Sequence, residues 1–357
     1  MASSIFPKGR GALSAPPGRF ETTHREAIDD GWHGSGVPAP NPDTQIARDN
    51  PRRLIAWNDS PDVPFDRSIN PYRGCEHGCI YCFARPSHAY ADLSPGIDFE
   101  TRLFYKADAA LRLEQELRAP GYEPAPITLG ANTDPYQPIE REYRVTRSIL
   151  EVLARYRHPV TIVTKGALVE RDIDLLQSLA EHRAVSVMVS LTTRDNALKR
   201  YLEPRAAGPR RRLRVIERLH AAGIPVGTLI APIIPALTDH EIEHLLRAAA
   251  DAGACSADYV LLRLPHEVEP LFREWLETHY PDRAERVLNR LREAHNGSTY
   301  DASFGQRMHG NGAYADLIAQ RFRVGCRKVG IEPGNRIPLS TRAFYRPPRA
   351  GDQIALW

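Results

Sequence analysis

Lysine is nearly missing from this 357-residue chain: of 47 basic residues only Lys8, Lys106, Lys165, Lys199 and Lys328 are lysines. An arginine bias of this kind reflects genome composition as readily as phosphate binding. Against 44 acidic residues the net charge is +3, too close to neutral to argue for nucleic acid by itself. Long apolar runs are absent as well; none approaches the roughly 18 residues needed to span a bilayer, so no membrane partner is expected. Met1–Lys8 lacks the apolar stretch of a secretory leader. Cysteine is scarce, five in all and odd in number, which argues against a secreted disulfide scaffold. With 42% apolar and 25% charged residues, what remains is a globular protein of the reducing cytoplasm, long enough for one large core or two small ones.

Residues 1–65 hold nine of the prolines and no apolar periodicity, and read as an irregular arm anchored through Leu54-Ile55-Ala56-Trp57. From residue 66 short β-branched runs alternate with stretches of helical period. Strands are predicted at Ser68–Tyr72, Pro126–Ala131, Val160–Thr164, Val185–Leu191, Pro225–Ile230 and Ala257–Leu262. Helices are predicted near 107–118, 143–157, 170–182, 209–222 and 239–252. Such alternation means a parallel sheet covered by helices, closed as a partial barrel or opened as a doubly wound sheet. In both, the working ends are the C-terminal ends of the strands. Beyond residue 265 come three more helices (268–278, 283–293, 313–322) and a proline- and arginine-rich tail. The expected domains are the arm (1–65), an α/β core (66–265) and a helical extension (266–357).

Three of the five cysteines, Cys75, Cys79 and Cys82, sit within eight positions, spaced C-x3-C-x2-C just after the first predicted strand. Gly74 and Gly78 let the backbone turn tightly, so three thiolates can converge. Three ligands on a cluster that takes four leave one iron open to a substrate-like molecule. The competing reading is structural zinc with His77 as fourth ligand, but a histidine between two cysteines at this spacing strains a tetrahedral site.

This motif, with Tyr81 beside the third cysteine, resembles the signature of radical S-adenosylmethionine (SAM) enzymes. The longer context, Asn70–Tyr81 with Gly130–Pro138 and Thr164-Lys165, is similar to the branch related to spore photoproduct lyase, a DNA-repair group. Gly9–Ser14 looks like the arm of an uncharacterised bacterial subgroup of that branch. The resemblance implies an α/β fold, a partial (β/α)6 TIM-like barrel of parallel strands with an irregular N-terminal arm and a helical C-terminal extension. It implies a [4Fe-4S] cluster on Cys75, Cys79 and Cys82 whose unique iron takes the amino and carboxylate groups of SAM. One electron, from an external donor of flavodoxin or ferredoxin type, would then cleave SAM to methionine and a 5′-deoxyadenosyl radical that abstracts hydrogen from a substrate.

SAM needs a cation, acceptor oxygens and an apolar slot, expected where strands end. Asn132-Thr133-Asp134 follows the second strand and offers acceptors for an ammonium and a hydroxyl for a carboxylate. Lys165 follows the third strand and is the candidate partner of the SAM carboxylate. Ser190 and Arg205 are candidates for ribose or carboxylate contacts, Ala231–Pro235 for an adenine wall, and Tyr81 completes the cofactor set.

One position departs from the lyases: where they place a hydrogen-donating cysteine, this chain has Ala131. Cys255 and Cys326 are expected to be buried, inert thiols. The run Arg210-Arg211-Arg212-Leu213-Arg214 reads as a solvated helix face, or as phosphate contacts in keeping with a nucleic-acid lesion as substrate. Loops 295–300 and 309–312 could lid a pocket. The alternative function is an iron–sulfur or zinc protein that binds nucleic acid without radical chemistry; modification of RNA or protein is a third.

Overall fold

The computed structural model describes residues 9–21, 43–334 and 337–348; the remainder of the arm and of the tail lies outside the described residues. Its frame is six strands: β1 (Arg67–Ile69), β2 (Ile127–Leu129), β3 (Val160–Thr164), β4 (Val185–Ser190), β5 (Val226–Ile233) and β6 (Ser256–Leu261). They lie side by side in chain order and every neighbouring pair is parallel. Ile69 faces Leu129, Leu129 faces Ile162, and Ser190 faces Leu229. A doubly wound sheet reverses its strand order part-way. This one does not, and that alternative falls. The sheet also stays open, because β1 pairs on its outer side with Ala56–Trp57 and β6 with Glu332–Pro333 rather than with each other. The fold is α/β, a partial (β/α)6 barrel.

Each connection carries a helix: α1 (Ala109–Leu117), α2 (Val145–Arg155), α3 (Ile173–Glu181), α4 (Pro209–Ala221) and α5 (Ile242–Asp251). Their apolar residues recur at three- and four-residue spacing, so one stripe of each is buried: Leu113 and Leu117 on α1, Ile149 and Leu153 on α2, Leu176 and Leu179 on α3. β4 is buried at all six positions, as a strand covered on both faces must be.

The C-terminal helices α6 (Val268–His279), α7 (Pro281–Ala294) and α8 (Gly312–Val329) follow. α8 packs on α5. α6 and α7 bring Phe272, Trp275 and Leu291 into a second core with Leu202, Ile234 and Leu262, which Ala12, Ile80 and Tyr81 also join. The extension therefore supports the cysteine loop as well as the barrel.

Two expectations about the arm change. Gln45–Arg48 is a strand, parallel to Arg102–Tyr105, which in turn pairs antiparallel with Tyr72–Arg73. The predicted strand Ser68–Tyr72 is thus split at Asn70-Pro71, where proline has no N–H for the ladder, and the chain resumes in a different sheet. The anchor is also smaller than expected. Leu54 and Ile55 are buried and their N–H groups donate to the Glu116 carboxylate at 2.5 and 3.2 Å, but Trp57 is 60% exposed, with the Arg67 guanidinium 4.4 Å over its ring.

The tail crosses the N-terminal ends of the strands. Glu332–Pro333 pairs with the start of β6, the Ser340 N–H donates to the Arg183 carbonyl just before β4, and the Tyr345 N–H donates to the Tyr156 carbonyl just before β3. Phe344 packs against Tyr122, Tyr156 and His158. One end of the barrel is sealed and the other carries the site. Among the described residues no helix is long and apolar enough to cross a membrane.

Candidate active site at the open end of the barrel

The loop that follows β1 carries all three clustered cysteines. Cys75 and Cys79 are buried and Cys82 is half-buried; none is in a disulfide. Gly74 and Gly78 take φ of +74° and +66°, the left-handed turns anticipated for them. Burial pushes the Cys79 thiol up to about 12, opposed by Lys165 and Arg212 and reinforced by Glu203 and Cys82. Cys75 is raised as well, again by burial first and then by the charges of Asp134, Cys79 and Cys82. Cys75 and Cys79 thus lie in a buried neighbourhood that resists their ionisation, and an electropositive guest is what would overcome that resistance.

The loop is braced from behind by a buried ion pair that sequence reasoning missed. Arg85 donates to the Cys79 carbonyl at 3.0 Å and pairs with Glu100 at 2.5 Å, both side chains being inaccessible to solvent. The other faces of the Glu100 carboxylate accept the N–H groups of Gly11 (2.9 Å) and Ala12 (2.8 Å), which docks the arm against the loop. A Cβ on Gly11 would come within 1.8 Å of the Gly78 carbonyl, so only glycine permits that approach. Gln137 ties the front, donating to the Gly74 carbonyl at 3.1 Å and accepting from the Glu76 N–H at 2.9 Å.

His77 does not stand free as a fourth ligand: its Nδ1 lies 3.3 Å from Asp134 Oδ2. Among the described residues, no three His, Cys, Asp or Glu side chains are gathered closely enough to hold one metal ion. A cluster takes each thiolate on a separate iron, whereas a zinc ion draws four donors to about 2.0–2.3 Å. The donor set fits a cluster bound by Cys75, Cys79 and Cys82.

The strand ends supply the rest. Asp134 accepts from the Lys165 N–H (2.7 Å), the Thr164 hydroxyl (2.7 Å) and the Tyr136 N–H (2.9 Å). Burial opposes its ionisation, but His77 and these donors hold it at about 2. Thr133 donates to the Tyr72 carbonyl at 2.9 Å. Both residues, expected to face the cofactor, spend these polar atoms on positioning the loops; Asn132 is exposed and its N–H is held by Asn70 at 2.9 Å. Arg205 pairs with Glu76 at 3.0 Å.

Lys165 is different. Its ammonium lies 5.8 Å from the centre of the Tyr81 ring and, among the described residues, has no hydrogen-bond or ion-pair partner. The Tyr81 hydroxyl donates to Glu203, which also pairs with Arg212; Arg212 in turn donates to the Ser190 carbonyl at 3.0 Å. Thr192 lies 2.7 Å from the same carboxylate. Burial raises the Glu203 pKa and Arg212 with Lys165 lowers it, to a net value of about 2. Arg212 belongs to the arginine run expected to be solvated or to bind phosphate, yet it is buried under the site because it is the position of α4 facing β4. Arg211 pairs instead with Glu170 at 2.5 Å, and Arg210 lines a surface cavity of about 390 Å³ with Arg194 and His244. Of the two remaining cysteines, Cys326 is buried as expected, while Cys255 is exposed at the start of β6.

The Radical SAM superfamily model matches residues 69–249, the stretch from the end of β1 through most of α5. The chain belongs to the radical SAM superfamily. An uncharacterised protein of Mycobacterium tuberculosis is 38% identical over 240 residues, covering 67% of this chain and 69% of the relative. One of Methanocaldococcus jannaschii is 26% identical over 225 residues, 62% of this chain and 79% of the relative. Among solved structures, spore photoproduct lyase complexed with dinucleoside spore photoproduct superposes with a TM-score of 0.56 at 14% identity, covering 81% of both chains. That likeness is one of fold. This radical SAM protein therefore has the partial barrel that the cysteine motif implied, with its cysteine loop at the end of β1.

Proposed function

We propose that this protein binds a [4Fe-4S] cluster through Cys75, Cys79 and Cys82, cleaves SAM reductively and acts on a nucleic-acid lesion. The observation that carries the reading is the unpartnered Lys165 ammonium at the end of β3, close enough to Cys79 and Tyr81 to feel both. When bound, the cluster supplies one electron to the sulfonium of SAM and leaves a 5′-deoxyadenosyl radical; the electron comes from a flavodoxin or ferredoxin type of donor.

The chain's own residues bind, orient and exclude water. Lys165 takes the SAM carboxylate, which costs little reorganisation because no competing anion holds it. Asn132, the Ser190 hydroxyl and Arg205 line the same end for the ammonium and ribose. Asp134 holds His77 and the Lys165 backbone, so the lysine and the cysteine loop keep one register. Arg212 and Glu203 fix Tyr81 beside Cys79 and keep that wall dry. Ala131 provides no transferable hydrogen, so the hydrogen returned to the substrate comes from another group. The lesion reading is supported by the fold shared with spore photoproduct lyase.

Anaerobic reconstitution tests this directly. About four irons and four sulfides per chain, with dithionite-dependent release of 5′-deoxyadenosine, are the expected result. Stoichiometric zinc without SAM cleavage would reject it. A thymine-dimer oligonucleotide assayed with the reconstituted protein, read for repaired thymine, tests the lesion assignment.

A further inference from the structure

Arg263 stands two residues past the end of β6, at the same end of the sheet as the cysteine loop. Its guanidinium lies 4.3 Å over the ring of Phe83, the residue after Cys82. Several other guanidinium groups withdrawn from solvent have acidic partners: Arg85 with Glu100, Arg171 with Glu140, Arg212 with Glu203, Arg307 with Asp62. Among the described residues Arg263 has no acidic partner within ion-pair reach and makes no hydrogen bond. Burial pulls its pKa down, with Tyr300, Cys82 and Asp62 favouring the charge and Arg307 opposing it. A cation kept out of water without a partner is destabilising unless something negative arrives.

SAM brings one carboxylate, and Lys165 is placed to take it. A second unpartnered cation at the same end answers to an anion carried by another molecule. Phe83 narrows the choice, because it keeps 40% of its surface exposed although it is a large apolar side chain. A guanidinium beside an exposed aromatic ring suits a nucleotide strand: a base stacks on the ring while the cation takes the phosphate. A bare carboxylate would satisfy the arginine and leave the ring without a role.

We propose that Arg263 and Phe83 form the substrate anchor of the barrel mouth, the guanidinium receiving a backbone phosphodiester and the ring a neighbouring base. This rests on the nucleic-acid reading above. The probes are thymidylyl-thymidine and its uncharged methylphosphonate analogue, measured by equilibrium dialysis against the reconstituted, SAM-loaded protein. The wild type should bind the phosphodiester about tenfold more tightly than the analogue, one charge-assisted contact. R263Q should lose that preference while keeping its iron content, and F83L should weaken both ligands alike, by roughly tenfold. Equal binding of the two dinucleotides by the wild type, or an unchanged preference in R263Q, overturns the anchor. So does a preference for a glutamate-bearing peptide that disappears in R263Q, which hands the site to carboxylates. Release of 5′-deoxyadenosine by the wild type without any dinucleotide is scored separately, so loss of the radical chemistry and loss of the anchor are told apart.

Discussion

The two ends of the barrel are built on opposite principles. At the N-terminal end the tail lays backbone hydrogen bonds across the starts of β6, β4 and β3, and Phe344 closes a ring cluster with Tyr122, Tyr156 and His158. Its groups are satisfied by their neighbours. At the C-terminal end some groups are locked and others are held open: Glu100, Asp134 and Glu203 are fully engaged, while Lys165 and Arg263 have no ion-pair partner among the described residues. Partnered polar groups there serve as scaffold, and the unpartnered cations are where ligands are to be sought.

The largest effect separates the two ends outright. Cys79→Ala should abolish cluster assembly and SAM cleavage while circular dichroism and thermal unfolding stay close to wild type; full SAM cleavage in that variant would remove the site. Next comes the brace. Glu100→Gln leaves the buried Arg85 without its carboxylate and should cost about 3 kcal/mol in chemical denaturation, with faster loss of the cluster in air. Unchanged denaturation would mean that the arm and loop do not depend on that pair. Lys165→Ala should weaken SAM binding by about tenfold with iron content retained, since it removes a charge-assisted contact and no buried one.

The sealed end gives smaller changes and should leave chemistry alone. Phe344→Ala should destabilise by about 1–2 kcal/mol, because the ring is only partly buried, and SAM cleavage per folded molecule should not change. His158 adds a pH dependence. Burial holds its pKa at about 4, against about 6.5 in an unfolded chain, so unfolding takes up a proton between those values. Stability at this end should be full above about pH 6.5 and fall as the pH drops toward 4, as read by thermal unfolding. A flat profile would show that His158 is not held neutral.

Much of this was visible before the chain was folded. β3 begins and ends where the apolar run Val160–Thr164 does, and the cysteine spacing pointed to the chemistry, because thiolates close in sequence and turned by glycine can converge through local geometry alone. Trp57 and Arg212 were misjudged for one shared reason: a residue's type does not say which neighbour it meets. Trp57 is large and apolar but sits outside, and Arg212 is charged but sits inside, since it pairs there with the buried Glu203. Arg85 and Glu100 carried no pattern at all, being fifteen residues apart in two separate short helices.

Local order was therefore written into the chain: strand and helix alternation, the three clustered cysteines, and the end of the sheet on which they fall, all governed by interactions between near neighbours. Only the folded molecule decided which charges are neutralised and which are left waiting. That choice depends on distances between segments far apart in the chain, such as those that carry Asp62 and Arg307, and such distances come from packing.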